Sequence, residues 1–147
     1  MHETPRLISG GLRTDERGTI AFVNDFDFAG VRRSYTIRPA RAGQVRGWIG
    51  HRREHKWFMC VQGQILIAVV RPDRWEHPSR DLPLDRFTLS AAAPAVLWVP
   101  PGHATASLPL SEDTLLTVFS SSRLDAAAAD DYRYPPNTWD AAGSYTP

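Results

Sequence analysis

The sequence contains one cysteine, Cys60, and this scarcity removes several classes of protein. A single cysteine cannot form an internal disulfide, so the chain is not a disulfide-stapled scaffold, and it fits a reducing compartment. Because Cys60 lies in an apolar run, we expect a small buried side chain rather than a nucleophile. The sequence also lacks a Cys-x-x-Cys pair, a Gly-rich phosphate-binding loop and a Ser-His-Asp arrangement, so none of those chemistries is predicted.

Long hydrophobic runs and a strong net charge are missing too. No apolar run approaches the ~20 residues of a membrane span, and the N-terminus has no signal-peptide core. We therefore expect a cytoplasmic protein with no membrane partner. The formal net charge is only +1. Because nucleic-acid binders usually carry a net basic face, no nucleic-acid partner is predicted, while local arginine clusters leave a small anionic ligand open.

Short β-favouring runs are what the chain does contain. Its 147 residues, 42% apolar and 22% charged, predict one globular domain over residues 1–147. Twelve prolines and ten glycines separate the apolar runs, and only one stretch looks helical. This pattern is typical of an all-β antiparallel sandwich or barrel. We expect a first hairpin around the turn at 15–18, a short C-terminal helical segment at 124–131, and an extended tail at 132–147.

Two further strand pairings are predicted from turn residues. Gly63 permits a positive φ between two β-favouring runs, so we expect a tight hairpin that joins strands 57–62 and 64–71. The second run is the most hydrophobic in the sequence. The segments 105–108 and 114–120 are predicted to form the last pair of strands.

The segment from Arg46 to Gly63 is the most unusual in the chain. It places the ionisable groups of Arg46, His51, His55 and Lys56 between two apolar segments. Charged groups on strands that lead into a core are costly unless they line a cavity or a cleft. The sequence therefore predicts a functional site along this segment.

Several short motifs, taken in order, resemble those of the dTDP-4-dehydrorhamnose 3,5-epimerase family. They are Asp15–Gly18, Arg46-Gly47-Trp48, Lys56 seven residues before Gly63, Val99–Gly102, and Asp130–Arg133. The chain is similarly close to the related dTDP-sugar 3,4-ketoisomerases, in which an Arg-Gly precedes a His-x-His pair. The resemblance implies an RmlC-like cupin jelly roll, usually a homodimer. It also implies that the barrel holds a nucleotide-diphosphate sugar, a 4-keto-6-deoxyhexose linked to dTDP or UDP.

The resemblance also implies roles for particular residues. His51 is the candidate general base, because an imidazole can exchange protons near neutral pH. Lys56 and Arg46 match positions that supply positive charge to an enolate and to a phosphate. Tyr35 matches an aromatic hydroxyl near the sugar, although core packing is an equally good interpretation. The remaining candidate substrate-binding residues are Arg33, Arg38, His103 and Thr105.

Three proton-handling positions of the epimerases are changed here, which leaves more than one function open. Ile49 stands at the catalytic histidine position, Thr105 stands at the position of a second histidine, and no tyrosine follows the strand that ends near residue 119. The first hypothesis is a metal-independent epimerase or ketoisomerase of polysaccharide or glycoside biosynthesis. The second is a non-catalytic cupin that binds a nucleotide sugar or another carbohydrate.

A metal-dependent cupin is the third hypothesis and the weakest. Many cupins hold a metal through several histidines and a glutamate, and here His51, His55 and His103 are the nearest equivalents. Because these positions leave the coordination sphere short, we expect no metal and no other cofactor.

Overall fold

The computed structural model describes residues 2–145, within which twelve β-strands and one short helix form an antiparallel β-sandwich. Each of the two main sheets has five strands. The first contains β1 (Arg6–Ser9), β4 (Arg33–Ile37), β6 (Lys56–Gln62), β9 (Ala95–Val99) and β11 (Leu115–Ser120), in the spatial order β1-β9-β6-β11-β4. The second contains β5 (Arg46–His51), β7 (Gln64–Val70), β8 (Leu84–Ser90), β10 (His103–Pro109) and β12 (Tyr132–Arg133), in the order β12-β5-β10-β7-β8.

The remaining elements lie outside the two sheets. Strands β2 (Gly11–Asp15) and β3 (Gly18–Phe22) form a hairpin of their own, as predicted for the turn at 15–18. Helix α1 (Leu124–Ala128) is the short C-terminal helical segment. No helix among residues 2–145 is long and apolar enough to span a membrane. The predicted all-β class is confirmed.

Strand β7 shows why the most hydrophobic run of the sequence lies at the centre of the fold. Side chains alternate between the two faces of a strand. Ile65, Ile67 and Val69 enter the core between the sheets, whereas Ala68 and Val70 pack on the outer face of the second sheet. Both faces are covered, so both faces are apolar. The core between the sheets also contains Phe58, Cys60, Leu89, Leu97, Val99, Leu116 and Val118.

Two predicted strand pairings are wrong. Strand β6 pairs with β9 and β11, whereas β7 pairs with β8 and β10 in the other sheet. Gly63, with φ of 74°, is therefore a corner between the two layers and not a hairpin turn. Strands β10 and β11 likewise belong to different sheets. Turn residues show where the chain bends, but packing decides which neighbour the next strand pairs with.

Cys60 is buried as expected, with 2% of its surface exposed, and burial raises the pKa of its thiol. A thiol with a raised pKa is a poor nucleophile near neutral pH. Its environment is therefore that of a packing residue.

The segment after α1 covers the outer face of the second sheet. Strand β12 pairs with β5, and the backbones of Trp48 and Tyr134 then exchange two hydrogen bonds of 3.1 and 3.0 Å. The rings of Trp48 and Trp139 meet edge to face at 5.1 Å, and both are almost fully buried. The predicted tail at 132–147 thus contributes a strand and a packed aromatic side chain, while Thr146 and Pro147 lie outside the described residues.

Candidate active site

A cleft opens into the sandwich between β4 of the first sheet and β5 of the second. It has a volume of about 390 Å³. A narrower inner part of about 40 Å³ continues toward β10 and shares five of the lining residues. The shared residues are Tyr35, Ile37, Arg46, Ile49 and Lys56; the outer part adds Arg33, His51, Asp131, Arg133 and helix α1, and the inner part adds Phe58, Ile67, Thr105 and Leu116.

Strand alternation places the polar side chains on the cleft face. Arg33 and Tyr35 are two residues apart on β4, and Ile49 and His51 are two residues apart on β5, so each pair shares a face. Gly47 allows this part of β5 to lie close to β10, because a Cβ there would meet Ala106 Cα at 2.8 Å. Its φ of 137° also disfavours a side chain.

His51 is held as a neutral base. It is 7% exposed, and its Nδ1 lies 2.6 Å from the backbone carbonyl oxygen of Asp130. Because a carbonyl oxygen can only accept, Nδ1 carries the proton and Nε2 carries a lone pair. His51 Nε2 is buried and has no hydrogen-bond partner among the described residues.

The surroundings of His51 favour its neutral form. Burial lowers the pKa of the imidazole below its ordinary value of 6.5, and the Lys56 ammonium lowers it further. Glu54 and Asp130 oppose this lowering in part. At neutral pH the ring is therefore unprotonated at Nε2 and able to accept a proton.

Glu54 is a site residue that sequence reasoning missed. Its side chain is fully buried, and its Oε1 accepts hydrogen bonds from Ser120 Oγ and from Arg33 Nη2, the latter at 3.2 Å. Its Oε2 lies 3.1 Å from His51 Nδ1 and 3.9 Å from Lys56 Nζ. The available signal was a lone carboxylate in a segment otherwise rich in cationic and histidine side chains.

Asp130 connects the C-terminal segment to this cluster. Its carboxylate accepts the backbone N–H groups of Arg52, Arg53 and Glu54, at 2.7, 2.9 and 3.0 Å. Its carbonyl oxygen accepts a hydrogen bond from His51 Nδ1–H. One residue therefore fixes both the turn that carries Glu54 and the orientation of the imidazole.

Tyr35 lies close to two cations on the cleft wall. Lys56 Nζ is 5.9 Å from the centre of the phenol ring, and the Arg33 guanidinium carbon is 5.1 Å from it. Lys56 itself is 8% exposed. The cleft thus combines a neutral base, two fixed positive charges and a phenol, a set that can take a proton from carbon and stabilise the resulting negative charge.

The two substituted family positions, Ile49 and Thr105, face each other across β5 and β10. Both line the inner part of the cleft. Ile49 can only pack against a ligand, whereas the Thr105 hydroxyl can donate or accept a hydrogen bond. Arg46 lines both parts of the cleft and is exposed.

Two candidate substrate-binding residues lie outside this cleft. His103 is opposite His51 in the strand register, but it is buried and its Nδ1 donates to the Pro100 carbonyl oxygen at 2.9 Å. Burial lowers the pKa of His103. Arg38 is exposed just beyond the end of β4.

The three histidines of the metal hypothesis do not converge. His55 lies on the outer face of the first sheet, where its ring is nearly parallel to those of Trp57 and Trp98, each 5.9 Å away. Its Nδ1 accepts the indole N–H of Trp98 at 3.2 Å. Across residues 2–145, no group of three or more His, Cys, Asp or Glu side chains is arranged to hold a metal ion.

Residues 3–140 match the protein family described as FdtA: WxcM-like, C-terminal. No curated protein sequence matches the chain. The chain is also similar to solved structures that share its fold. One is QdtA, a sugar 3,4-ketoisomerase from Thermoanaerobacterium thermosaccharolyticum, which is 20% identical with a TM-score of 0.69 over 94% of this chain and 93% of that one.

Two epimerases of known structure are also similar to this chain in fold. ChmJ, a 3'-monoepimerase from Streptomyces bikiniensis, is 20% identical with a TM-score of 0.74, over 91% of this chain and 71% of that one. The RmlC epimerase of Mycobacterium tuberculosis is 19% identical with a TM-score of 0.68, over 86% and 66%. The RmlC-like cupin fold expected from the sequence is confirmed.

Proposed function

The chain belongs to the FdtA family of WxcM-like C-terminal domains, and we propose that it is an isomerase of nucleotide-linked 4-keto-6-deoxyhexoses. It would act as an epimerase or a ketoisomerase on a dTDP- or UDP-linked sugar in polysaccharide or glycoside biosynthesis. The observation that carries this proposal is the buried, unpartnered Nε2 of His51 beside Lys56 and Tyr35 in one cleft.

The chemistry begins with proton transfer from carbon. His51 Nε2 takes the proton from the carbon next to the keto group, and the C–H electron pair forms a carbon–carbon double bond. The carbonyl π pair moves to oxygen, where the positive charge of Lys56 stabilises the enolate. Return of a solvent proton to the opposite face of that carbon gives an epimer, and His51 releases to solvent the proton that it took.

Ketoisomerisation follows from the same enolate. A proton on the neighbouring hydroxyl moves to the enolate oxygen, and carbon is reprotonated at the former keto position. The Tyr35 phenol is the proposed carrier between the oxygens, since it lines both parts of the cleft. No step in either course calls for a cofactor.

The nucleotide diphosphate is proposed to bind at the cleft mouth. Arg46, Arg33 and Arg133 line the outer part of the cleft, and guanidinium groups pair with phosphate through two parallel hydrogen bonds. Thr105 would contact the sugar in the inner part. Arg38 and His103 remain predicted substrate contacts. Because neither residue lines this cleft, each would have to contact a part of the ligand that lies outside it.

A homodimer is proposed on the family resemblance and one structural feature. The β2–β3 hairpin pairs with no other strand within residues 2–145, and Ile20 on it is 63% exposed. Phe26 is not part of this exposed surface, because its ring packs within the same chain against the ring of Phe119, with the ring centres 5.3 Å apart. Sedimentation equilibrium at micromolar concentration tests the proposed homodimer, and a single 16.4 kDa species would contradict it.

We propose residues 1–147 as one domain that acts in the cytoplasm, where Cys60 stays reduced.

Two measurements test the proposed reaction. A thermal-shift panel of dTDP, UDP and their 4-keto-6-deoxyhexose derivatives identifies the ligand, and each hit is then incubated in D₂O and analysed by NMR. We expect stabilisation by the keto sugars and deuterium incorporation beside the keto group. Binding without incorporation favours the non-catalytic binding cupin, and no binding at all rejects both.

A further inference from the structure

We propose that Glu54 is a positioning residue whose carboxylate stabilises the imidazolium that forms when His51 accepts a proton, and holds Lys56 beside it. This inference rests on the proposed function, because it assigns a role within the same site. Nothing in the family motifs of the sequence marks position 54, and the inference follows from the contacts of the carboxylate.

The two oxygens of Glu54 have different surroundings. Oε1 is fixed by Ser120 Oγ and by Arg33 Nη2 at 3.2 Å. Oε2 is buried and has no hydrogen-bond partner among the described residues, although it lies 3.1 Å from His51 Nδ1 and 3.9 Å from Lys56 Nζ. The first oxygen is therefore an anchor, and the second is aimed at the base and the ammonium.

A buried carboxylate oxygen without a hydrogen-bond partner lowers the stability of the fold, so the presence of Glu54 Oε2 at this position needs an explanation. In the resting state, the Nδ1 proton of His51 is directed at the Asp130 carbonyl oxygen at 2.6 Å. When Nε2 takes a proton, the ring becomes cationic. The negative charge on Glu54 Oε2, which lies 3.1 Å from Nδ1, then attracts the ring strongly. The interaction of Oε2 is thus strongest in the protonated state that the reaction creates.

Charge balance in the cluster supports the same role. Arg33 and Lys56 contribute two positive charges, and Glu54 contributes one negative charge within 4 Å of each. Glu54 therefore offsets one of these two positive charges beside His51. The Lys56 ammonium already lowers the pKa of His51, and without Glu54 less negative charge would oppose that effect.

The groups that face His51 come from several elements. They are Glu54 from the turn after β5, Lys56 from β6, Arg33 and Tyr35 from β4, His103 from the paired position on β10, and Asp130 from the segment after α1. Among them Glu54 and Asp130 raise the pKa of His51, while burial and Lys56 lower it by more. Removal of the Glu54 charge should therefore make His51 a weaker base.

The principal test is Glu54→Gln, which keeps the shape and removes the charge. The imidazole of His51 is titrated by ¹H–¹⁵N NMR in the full chain without substrate, and we expect its midpoint to move to lower pH. The matched control is Glu112→Gln, the same charge change on an exposed turn, for which we expect no movement. An unchanged midpoint in folded Glu54→Gln overturns the proposal.

Kinetics separates this role from a purely structural one. We expect Glu54→Gln to lower turnover on the order of 10- to 100-fold with KM within a few-fold, and to move the acid limb of the rate profile to lower pH. If the titration midpoint moves but the wild type turns over no sugar, the electrostatic role stands and the proposed reaction fails.

A second variant keeps the test valid if Glu54→Gln does not fold. Glu54→Asp retains the charge but withdraws it from His51 by one methylene group, so the midpoint should move in the same direction by less. An unchanged midpoint in Glu54→Asp overturns the proposal. If neither variant folds, Glu54 is a scaffold residue and the proposal is also overturned.

Discussion

The Nδ1 atom of His51 lies 2.6 Å from the backbone carbonyl oxygen of Asp130, which is 79 residues further along the chain. This contact selects the tautomer, because the carbonyl oxygen requires a donor. It leaves the lone pair on Nε2, in a ring that lines the cleft. The general base of the proposed reaction is therefore set by a backbone atom of a distant segment.

Replacement of His51 by asparagine tests the base directly. We expect His51→Asn to lower deuterium incorporation and turnover on the order of 10²–10⁴-fold, with ligand affinity within a few-fold, since the proton acceptor is lost. The control is His55→Asn, the same substitution on the outer face of the first sheet, for which activity should persist. Full activity of His51→Asn would show that another group is the base.

Stability should fall on acidification below neutral pH because of His51 and His103. Burial lowers the pKa of both side chains in the folded protein relative to the ordinary value of 6.5, so the unfolded chain binds more protons below that pH. The free energy of unfolding therefore decreases as pH falls through 6.5 and stops decreasing below the folded-state pKa values. Thermal melts from pH 8 to pH 5 measure this, and His103→Gln should make the decrease smaller. A decrease of the same size in that variant would contradict the assignment.

Arg46→Ala should weaken binding of the nucleotide diphosphate. Arg46 lines both parts of the cleft, and a charge-assisted hydrogen bond contributes about 1.5–3 kcal/mol, which corresponds to roughly a 10- to 100-fold rise in Kd. Isothermal titration calorimetry with dTDP and UDP measures the effect. Arg32→Ala, an exposed arginine that does not line the cleft, is the control, and equal losses in both variants would point to non-specific electrostatics.

Asp130→Ala should destabilise the fold as well as the site. The carboxylate accepts three backbone N–H groups of residues 52–54, and their loss should cost roughly 2–4 kcal/mol. Urea unfolding measures the change, with Asp125→Ala, an exposed aspartate at the start of α1, as the control. A change below about 1 kcal/mol would mean that other groups hold the turn.

Trp139→Ala tests whether the C-terminal segment belongs to the folded unit. The Trp139 ring is 3% exposed and packs edge to face on Trp48, and its indole N–H donates to the Ser79 carbonyl oxygen at 3.0 Å. Truncation of a buried tryptophan costs about 3–5 kcal/mol. A thermal melt compares this variant with Tyr145→Ala, in which the replaced ring is 38% exposed. A melting temperature of Trp139→Ala close to that of the unsubstituted chain would show that residues after β12 add little.

Local pattern was sufficient for several elements of the fold. The hairpin at β2–β3 and the buried Cys60 both follow from residue type and local pattern. The charged segment from Arg46 to Lys56 also marked the cleft, because its cost in a core demanded an explanation. Each of these predictions rests on residues that are close together in the sequence.

Strand pairing could not be obtained in the same way. The bend at Gly63 has the chemistry of a hairpin, yet it carries the chain from one sheet to the other. A positive φ is needed at both kinds of bend, so the residue does not distinguish them. Whether the chain turns back into the same sheet or crosses to the other depends on the burial of both faces of β7. Burial is a property of the packed molecule.

The sequence by itself determined the all-β class, the family resemblance and most of the polar residues around the cleft, since each rests on residue type and order. The tertiary structure alone decided the tautomer of His51, the contacts of Glu54 and the separation of His55 from the cleft. Those depend on which atoms meet across strands and on how deeply they are buried, and contacts between residues far apart in the chain leave no local pattern.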